Sequence, residues 1–381
     1  MKFANGIEER GLACARGVAD WLCAVQYPHQ QSRADAGSFP WVIDGNGNGY
    51  PANNWNLAFA VMGLLSAYKA FGEKRYETAA LRMGNYLKSL QIFDPFKPEH
   101  HGAIREMTPQ TPWCYTRDAL SAAWGFVELH RHTGDAEWLE RARLWAEWFL
   151  GKGMDADGWP LWGVQFEPWF AGCEPQMRND VQGSFQGGGL NFFHQLAKET
   201  GDARWSGPFF VNIADYFVSH VQQPSGYFAS IERSSRKPPE ADPQGGLHRA
   251  NDDLGTLGLL CAHHRTEDAR QLGAVRKFLA AVFAAQREDG NFEESVACVP
   301  VILNVCLELE RLTGVSAAPA GRLEKALEAL YARQSDGGVV PSARGGIVEI
   351  EGQPEVCARS SCYALIVLLK AFAGVEGYLT V

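Results

Sequence analysis

The sequence predicts an all-α fold: an (α/α)6 barrel of twelve helices in an inner and an outer ring, formed by residues 1–381 as a single domain. Three observations predict it. A glycine turn recurs along the chain, helices of two kinds alternate between the turns, and short and long connections alternate with them.

The turn is clearest late in the chain, in AQREDGNFEES (285–295) and ARQSDGGVVPS (332–342). Each reads as a helix end, a polar Asp-Gly turn and a short apolar piece. Further copies are GKGMDADGWPLWG (151–163) and HVQQPSGYFASI (220–231), with longer versions at 24–41 and 89–106. Five of these six copies start near a glutamine, at Gln26, Gln91, Gln223, Gln286 and Gln334; the copy at 151–163 has Met154 instead.

The segments between turns predict helices over 7–26, 53–72, 74–91, 114–133, 136–151, 180–200, 203–222, 252–265, 267–286, 295–313, 319–334 and 356–375. Segments such as 74–91 are amphipathic, with Tyr76, Ala79, Ala80, Met83, Leu87 and Leu90 on one face. Segments such as LAFAVMGLLSAY (57–68) and CYALIVLL (362–369) are apolar nearly all round and must be buried on most sides. The alternation of the two kinds is what an enclosed inner ring requires. Inner-to-outer connections are short: FGEKRY, TGDAEW, TGDARW and RTED, in which Gly134 and Gly201 read as helix stops and Asp135 and Asp202 as fresh N-caps. The long connections all run from outer to inner helices, so they share one end. Function is expected at that loop-bearing mouth.

The totals exclude several classes. With 46% hydrophobic residues and 12% aromatic, the chain can bury a large core. A formal net charge of −9 argues against nucleic-acid binding through a basic face. No secretory h-region follows the N-terminal Met and no apolar run reaches 18 residues, so a cytoplasmic protein without a membrane partner is expected. Nine scattered cysteines without CxxC spacing suggest reduced buried thiols rather than a disulfide framework or zinc site. Phosphate-loop, HExxH and G-x-S-x-G patterns are absent, and the Gly187–Gly189 run falls inside a predicted helix, so neither cofactor nor metal is expected.

The mouth loops concentrate three kinds of side chain. Aromatic rings include Trp41, Trp55, Trp113, Tyr115, Trp159 and Trp162, which suit the apolar CH faces of sugars or cap the core. Carboxylates include Glu106, Asp118, Asp180, Asp252 and Asp253. Glycoside hydrolysis commonly uses two, one to protonate the leaving oxygen and one to activate water or attack carbon. Asp180, Asp252 and Asp253 open predicted inner helices and double as candidate N-caps, whereas Asp118 lies within its helix. Basic groups include Arg178, Arg233, His248 and Arg359, which would suit a uronate unless each pairs with a neighbouring carboxylate. The candidate catalytic set is therefore Asp118, Asp180 and Asp252 or Asp253. Trp41, Trp55, Glu106, Trp113, Tyr115, Trp159, Trp162, Arg178, Arg233, His248 and Arg359 are candidates for binding substrate.

Six hairpins, an N-terminal outer helix, Trp-rich loops and this length resemble the six-hairpin glycosidase superfamily. The likeness implies a carbohydrate-active enzyme, most directly a glycoside hydrolase of an oligosaccharide. Size is also similar to that of unsaturated glucuronyl hydrolases, which act on uronates, and of N-acylglucosamine 2-epimerases, whose catalytic histidines would have to be matched by His248. A lyase or epimerase would use Tyr115 and His248 around a uronate. The Gln…Asp-Gly-Gly turn also resembles repeats of terpene cyclases and prenyltransferase β subunits, an isoprenoid-handling alternative whose DxDD motif is not found here.

Overall fold

The computed structural model is described for residues 3–28, 35–154, 160–161, 163–166, 183–228, 253–376 and 379–381, with backbone only at 183–188 and 253–254. Among them run α1 (Ile7–Val25), α2 (Asn54–Phe71), α3 (Lys74–Ser89), α4 (Thr116–Thr133), α5 (Ala136–Lys152) and α6 (Gly183–Thr200), then α7 (Pro208–Tyr216), α8 (Asp253–Thr266), α9 (Ala269–Ala284), α10 (Cys298–Thr313), α11 (Arg322–Tyr331) and α12 (Ala358–Ala373). The expected helix at 203–222 is the one that differs in kind. Gly207 and Pro208 separate a 3-10 turn (Ala203–Ser206) from α7, because proline favours the start of a helix and cannot bond back within one; α7 then runs directly into a π turn (Phe217–Val221).

The even-numbered helices form the inner ring. Each packs on the next, α2 on α4, α4 on α6, α6 on α8, α8 on α10 and α10 on α12, and α12 returns to α2. Burial follows: from Asn54 to Ala67 every residue but Trp55 is buried, and from Ala358 to Leu369 every residue but Arg359. In the outer helix α3 only the face carrying Tyr76, Ala79, Ala80, Met83, Gly84, Tyr86 and Leu87 is buried. The fold is thus an (α/α)6 barrel. Inner helices α2, α4, α6, α10 and α12 end in left-handed glycines and α8 in left-handed Glu267; after α4 and α6 the chain restarts at a capped aspartate, Asp135 accepting from Glu137 N and Asp202 from Arg204 N.

The recurring glutamine has a structural explanation. Each donates two hydrogen bonds, one to the glycine carbonyl of its own turn and one to a carbonyl of the next outer helix. Gln26 bonds Gly37 O and Ala79 O, both at 3.0 Å. Gln91 bonds Gly102 O and Arg141 O, and Gln286 bonds Gly290 O and Arg322 O. Gln334 bonds Gly345 O and Cys14 O, both at 2.8 Å, and so joins the last hairpin to the first. In the fourth hairpin the clasp is Gln222, on Gly226 O and Ala274 O, and not Gln223, whose amide turns back to His220 O and Val221 O. Only glycine fits the turn: Gly102 has φ +101° and Gly226 φ +100°, and a Cβ would lie 2.6 Å from Leu144 O or 2.8 Å from Lys277 O.

The long connections interlock at one end. Strands β1 (Pro40–Ile43), β2 (Gly49–Pro51) and β5 (Val356–Cys357) form a sheet in the order β2-β1-β5, tying the first connection to the last. Strand β3 (Trp113–Tyr115) pairs antiparallel with β4 (Gly163–Gln165), and Ser295 bridges Ile350. At the opposite, tight end, residues 379–381 enter between inner helices. Val381 N donates to Glu308 at 3.0 Å, Asn304 donates to Leu379 O at 3.1 Å and Gln195 to Thr380 O at 2.7 Å. No described helix is long and apolar enough to cross a membrane. The eight described cysteines are unpaired, and all but Cys23 are buried.

Candidate active site

The mouth is built around two carboxyl groups that the sequence places twelve positions apart. Asp118 is the third residue of α4 and is 5% exposed; Glu106, in the connection before it, is 2% exposed. Their side chains are hydrogen-bonded to each other. Backbone pairing holds Glu106 in place: its N–H donates to Trp113 O at 3.1 Å, its carbonyl accepts from Asn54 N at 2.8 Å, and Oε2 accepts from Tyr115 N at 2.8 Å. Asp118 accepts from Arg117 Nε at 3.0 Å on Oδ1 and from Asn53 Nδ2 at 3.4 Å on Oδ2. Asn53 is itself the N-cap of α2. Burial, and then the adjoining Asp118 charge and hydrogen bond, push the Glu106 carboxyl well above its ordinary range, against which Tyr115 N–H and Arg117 act only weakly. Two like charges in contact oppose each other's ionisation, and both burial and the Asp118 charge favour the neutral form of Glu106.

Aromatic side chains stand beside this pair. The Trp113 and Tyr115 rings lie 4.9 Å apart at 58°, and the Arg117 guanidinium sits 5.7 Å over Tyr115. Trp55, in the first turn of α2, stacks on Tyr363 at 6.3 Å. Trp41 on β1 is 39% exposed and Tyr50 on β2 is 49% exposed, forming the rim.

Arg359 meets the alternative foreseen for it. It is paired with Glu349, which also accepts from Ser295 Oγ and Ser360 Oγ, both at 2.9 Å. Burial raises the Glu349 carboxyl, but Arg359 and these hydrogen bonds outweigh it and hold Glu349 below its usual range. Sequence reasoning passed over Glu349. The available signal was the alternation in Ile347-Val348-Glu349-Ile350, which sends Glu349 to the same side as the fully buried Ile347. Asn53 began the expected helix 53–72 but was not singled out, although an Asn before an apolar run is a common N-cap.

Asp180, Asp252, Trp159, Trp162, Arg178, Arg233 and His248 lie outside the described residues. Asp253 opens α8, as expected for a residue at the mouth, with its side chain not described. Among the described residues no group of His, Cys, Asp and Glu is arranged to hold a metal ion.

The architecture that carries this mouth is an (α/α)6 barrel. No protein-family model matches the chain, and no curated protein matches it in sequence. Solved structures do match in fold. Cellobiose 2-epimerase from Bacillus thermoamylovorans superposes with a TM-score of 0.70 at 13% identity, over 93% of this chain and 97% of that one. The GH76A α-1,6-mannanase from Salegentibacter sp. gives 0.65 at 14%, over 96% and 100%. An unsaturated glucuronyl hydrolase specific for heparin gives 0.68 at 14%, over 98% and 99%. At these identities the likeness establishes the fold.

Proposed function

We propose that this chain, acting as one domain, is a carbohydrate-active enzyme, a glycoside hydrolase that cleaves an oligosaccharide by carboxyl acid/base chemistry at the barrel mouth. The observation that carries this reading is the buried, hydrogen-bonded pair of Glu106 and Asp118 beside Trp113 and Tyr115. A buried carboxylate that accepts hydrogen bonds beside aromatic rings is the kind of group that acid/base chemistry on a sugar uses. Asp118 is the catalytic carboxylate of the described mouth; Asp180, Asp252 and Asp253 are candidates for its counterpart, and Trp41 and Trp55 for sugar platforms. Among the fold neighbours, an α-1,6-mannanase variant made inactive by replacing two consecutive aspartates is held with α-1,6-mannotriose. Asp252-Asp253 is the one such consecutive pair in this sequence. Three described mouth arginines are engaged, Arg359 with Glu349, Arg117 with Asp118 and Arg105 with Thr111 O, which leaves exposed Arg344 as the described mouth arginine available to a uronate. A neutral oligosaccharide fits better, in a cytoplasmic setting.

The epimerase alternative needs histidines at the mouth. His194, His263 and His264 lie about 15–17 Å along their helices from that end, at 1.5 Å per residue. His100 and His101 lie in the connection from α3 to α4 and pack on Phe166 and Phe93, and His248 lies outside the described residues. Burial, then Arg265 and His264, push His194 down to about 3, leaving it neutral. A screen of α-1,6-mannooligosaccharides, cellobiose, unsaturated uronides and prenyl diphosphates tests the reading. New reducing ends from a neutral oligosaccharide, lost in Asp118→Asn, are expected. Isomerisation without bond cleavage, or turnover of the prenyl diphosphates alone, would overturn it.

A further inference from the structure

The hydrogen-bonded pair is built asymmetrically, and the asymmetry says which member does which work. Among the described residues, the side-chain hydrogen bonds at the pair go to Asp118: Arg117 Nε to Oδ1 and Asn53 Nδ2 to Oδ2. Among the same residues, Glu106 receives a backbone donor, Tyr115 N–H on Oε2. A donor on Oε2 makes that oxygen the carbonyl-like acceptor, so a retained proton rides on the other oxygen, free to be donated. Glu106 is also fixed at its backbone on both sides, through Trp113 O and Asn54 N.

We propose that Glu106 is a positioning residue: its carboxyl O–H donates to Asp118 and holds Asp118 as the proton acceptor of the mouth, while proton delivery falls to a different carboxyl group. This deepens the hydrolase reading and rests on it. In the reaction, water adds through its oxygen to the anomeric carbon as Asp118 takes one of its protons. The glycosidic C–O bond breaks, and its electron pair on the leaving oxygen takes a proton from a second acid, for which Asp180, Asp252 and Asp253 are the candidates. Asp118 then returns its proton to that acid through solvent, so the net change is addition of one water. Glu106 keeps its own proton throughout. The elevated position of the Glu106 carboxyl, caused by burial and by the Asp118 charge, is consistent with that part.

Three variants test it. In Glu106→Gln the amide oxygen can still accept from Tyr115 N–H and the amide N–H can donate to Asp118, with no proton to give away. It should keep kcat within about threefold of the parent, whereas Glu106→Ala, which leaves Asp118 without this donor, should lose about 10²-fold or more in kcat, the lower range for acid/base groups. Asp118→Asn should be the least active. A Glu106→Gln enzyme as inactive as Asp118→Asn would overturn the proposal, because Glu106 would then be passing its proton to substrate. So would a fully active Glu106→Ala. Carboxyl ¹³C NMR of the parent protein provides an arm independent of turnover. One glutamate carboxyl should remain protonated at pH 7 and vanish in Glu106→Gln; finding every glutamate ionised there would refute the assignment. If no saccharide is cleaved, the hydrolase reading fails, and the NMR result still decides where the proton rests.

Discussion

Two buried glutamates, one at each end of the barrel, are opposites. Glu106 at the mouth touches another carboxyl group and is pushed well above its ordinary range by burial and Asp118. Glu308, about 15 Å along α10 from the mouth end at 1.5 Å per residue, is 1% exposed and meets cations and N–H donors: Lys370 at 2.5 Å, Arg311 at 2.7 Å and Val381 N at 3.0 Å. Burial raises it too, but Lys370 and Arg311 outweigh burial and set it below its usual range. Both carboxyl groups are desolvated. Charge compensation distinguishes them: around Glu308 the cations outweigh burial, whereas at the mouth two acids share a site. Glu349 shows that location alone is not decisive, since it lies in a mouth loop and is neutralised by Arg359. A like-charge pair held by the backbone costs stability and is the arrangement expected where chemistry is done.

The comparison can be broken most directly at Asp118. Asp118→Asn should lower kcat/KM by about 10²–10⁴-fold, or about 3–5 kcal/mol in barrier, with little change in melting temperature; a large drop in melting temperature with activity intact would make the mouth pair structural. The counterpart at the tight end is Lys370→Ala. It strands Glu308 without its closest cation and should cost about 3–5 kcal/mol of stability by urea denaturation while sparing kcat in the folded fraction. A smaller loss would mean that Arg311 alone compensates Glu308.

The outer-ring clasps give an intermediate effect. Gln334→Ala removes two hydrogen bonds, each contributing about 0.5–1.5 kcal/mol, and should lose about 1–3 kcal/mol. Gln223→Ala, beside the true clasp Gln222, should cost well under that, and equal losses would contradict the assignment of Gln222. The last test is one of sign. Glu106 lies above its unfolded value, so the folded state holds its proton more tightly. Its contribution is intact below the ordinary glutamate pKa and declines as pH rises toward the folded value. Glu308 and Glu349 are lowered, so their contribution is present above the ordinary value and is lost as pH falls. Melting curves across pH should therefore flatten on the alkaline side in Glu106→Gln and on the acid side in Glu349→Gln.

The helices were legible because their signals are local. The apolar face of 74–89, the stops at Gly134 and Gly201 and the caps at Asp135 and Asp202 each depend on residues within a turn or two. The recurring glutamine marked the repeat, yet its register slipped by one in the fourth hairpin. Gln222 and Gln223 are chemically identical, and only the position of Ala274 O on the neighbouring helix selects between them. In the mouth, Glu106 and Asp118 could be identified as loop carboxylates but not as a pair. Their contact depends on β3 folding back over residues 106–115, through the Glu106–Trp113 and Glu106–Tyr115 hydrogen bonds.

By itself the sequence determined twelve helices, which of them are enclosed, and that the long connections share one end, because periodicity and turn chemistry act over a few residues. Only the tertiary structure decided that α12 closes on α2, that Arg359 is taken by Glu349, and that Glu106 meets Asp118 in a buried site. Those outcomes depend on distances between segments far apart in the chain, and on how much water and opposing charge remain once the rings have closed.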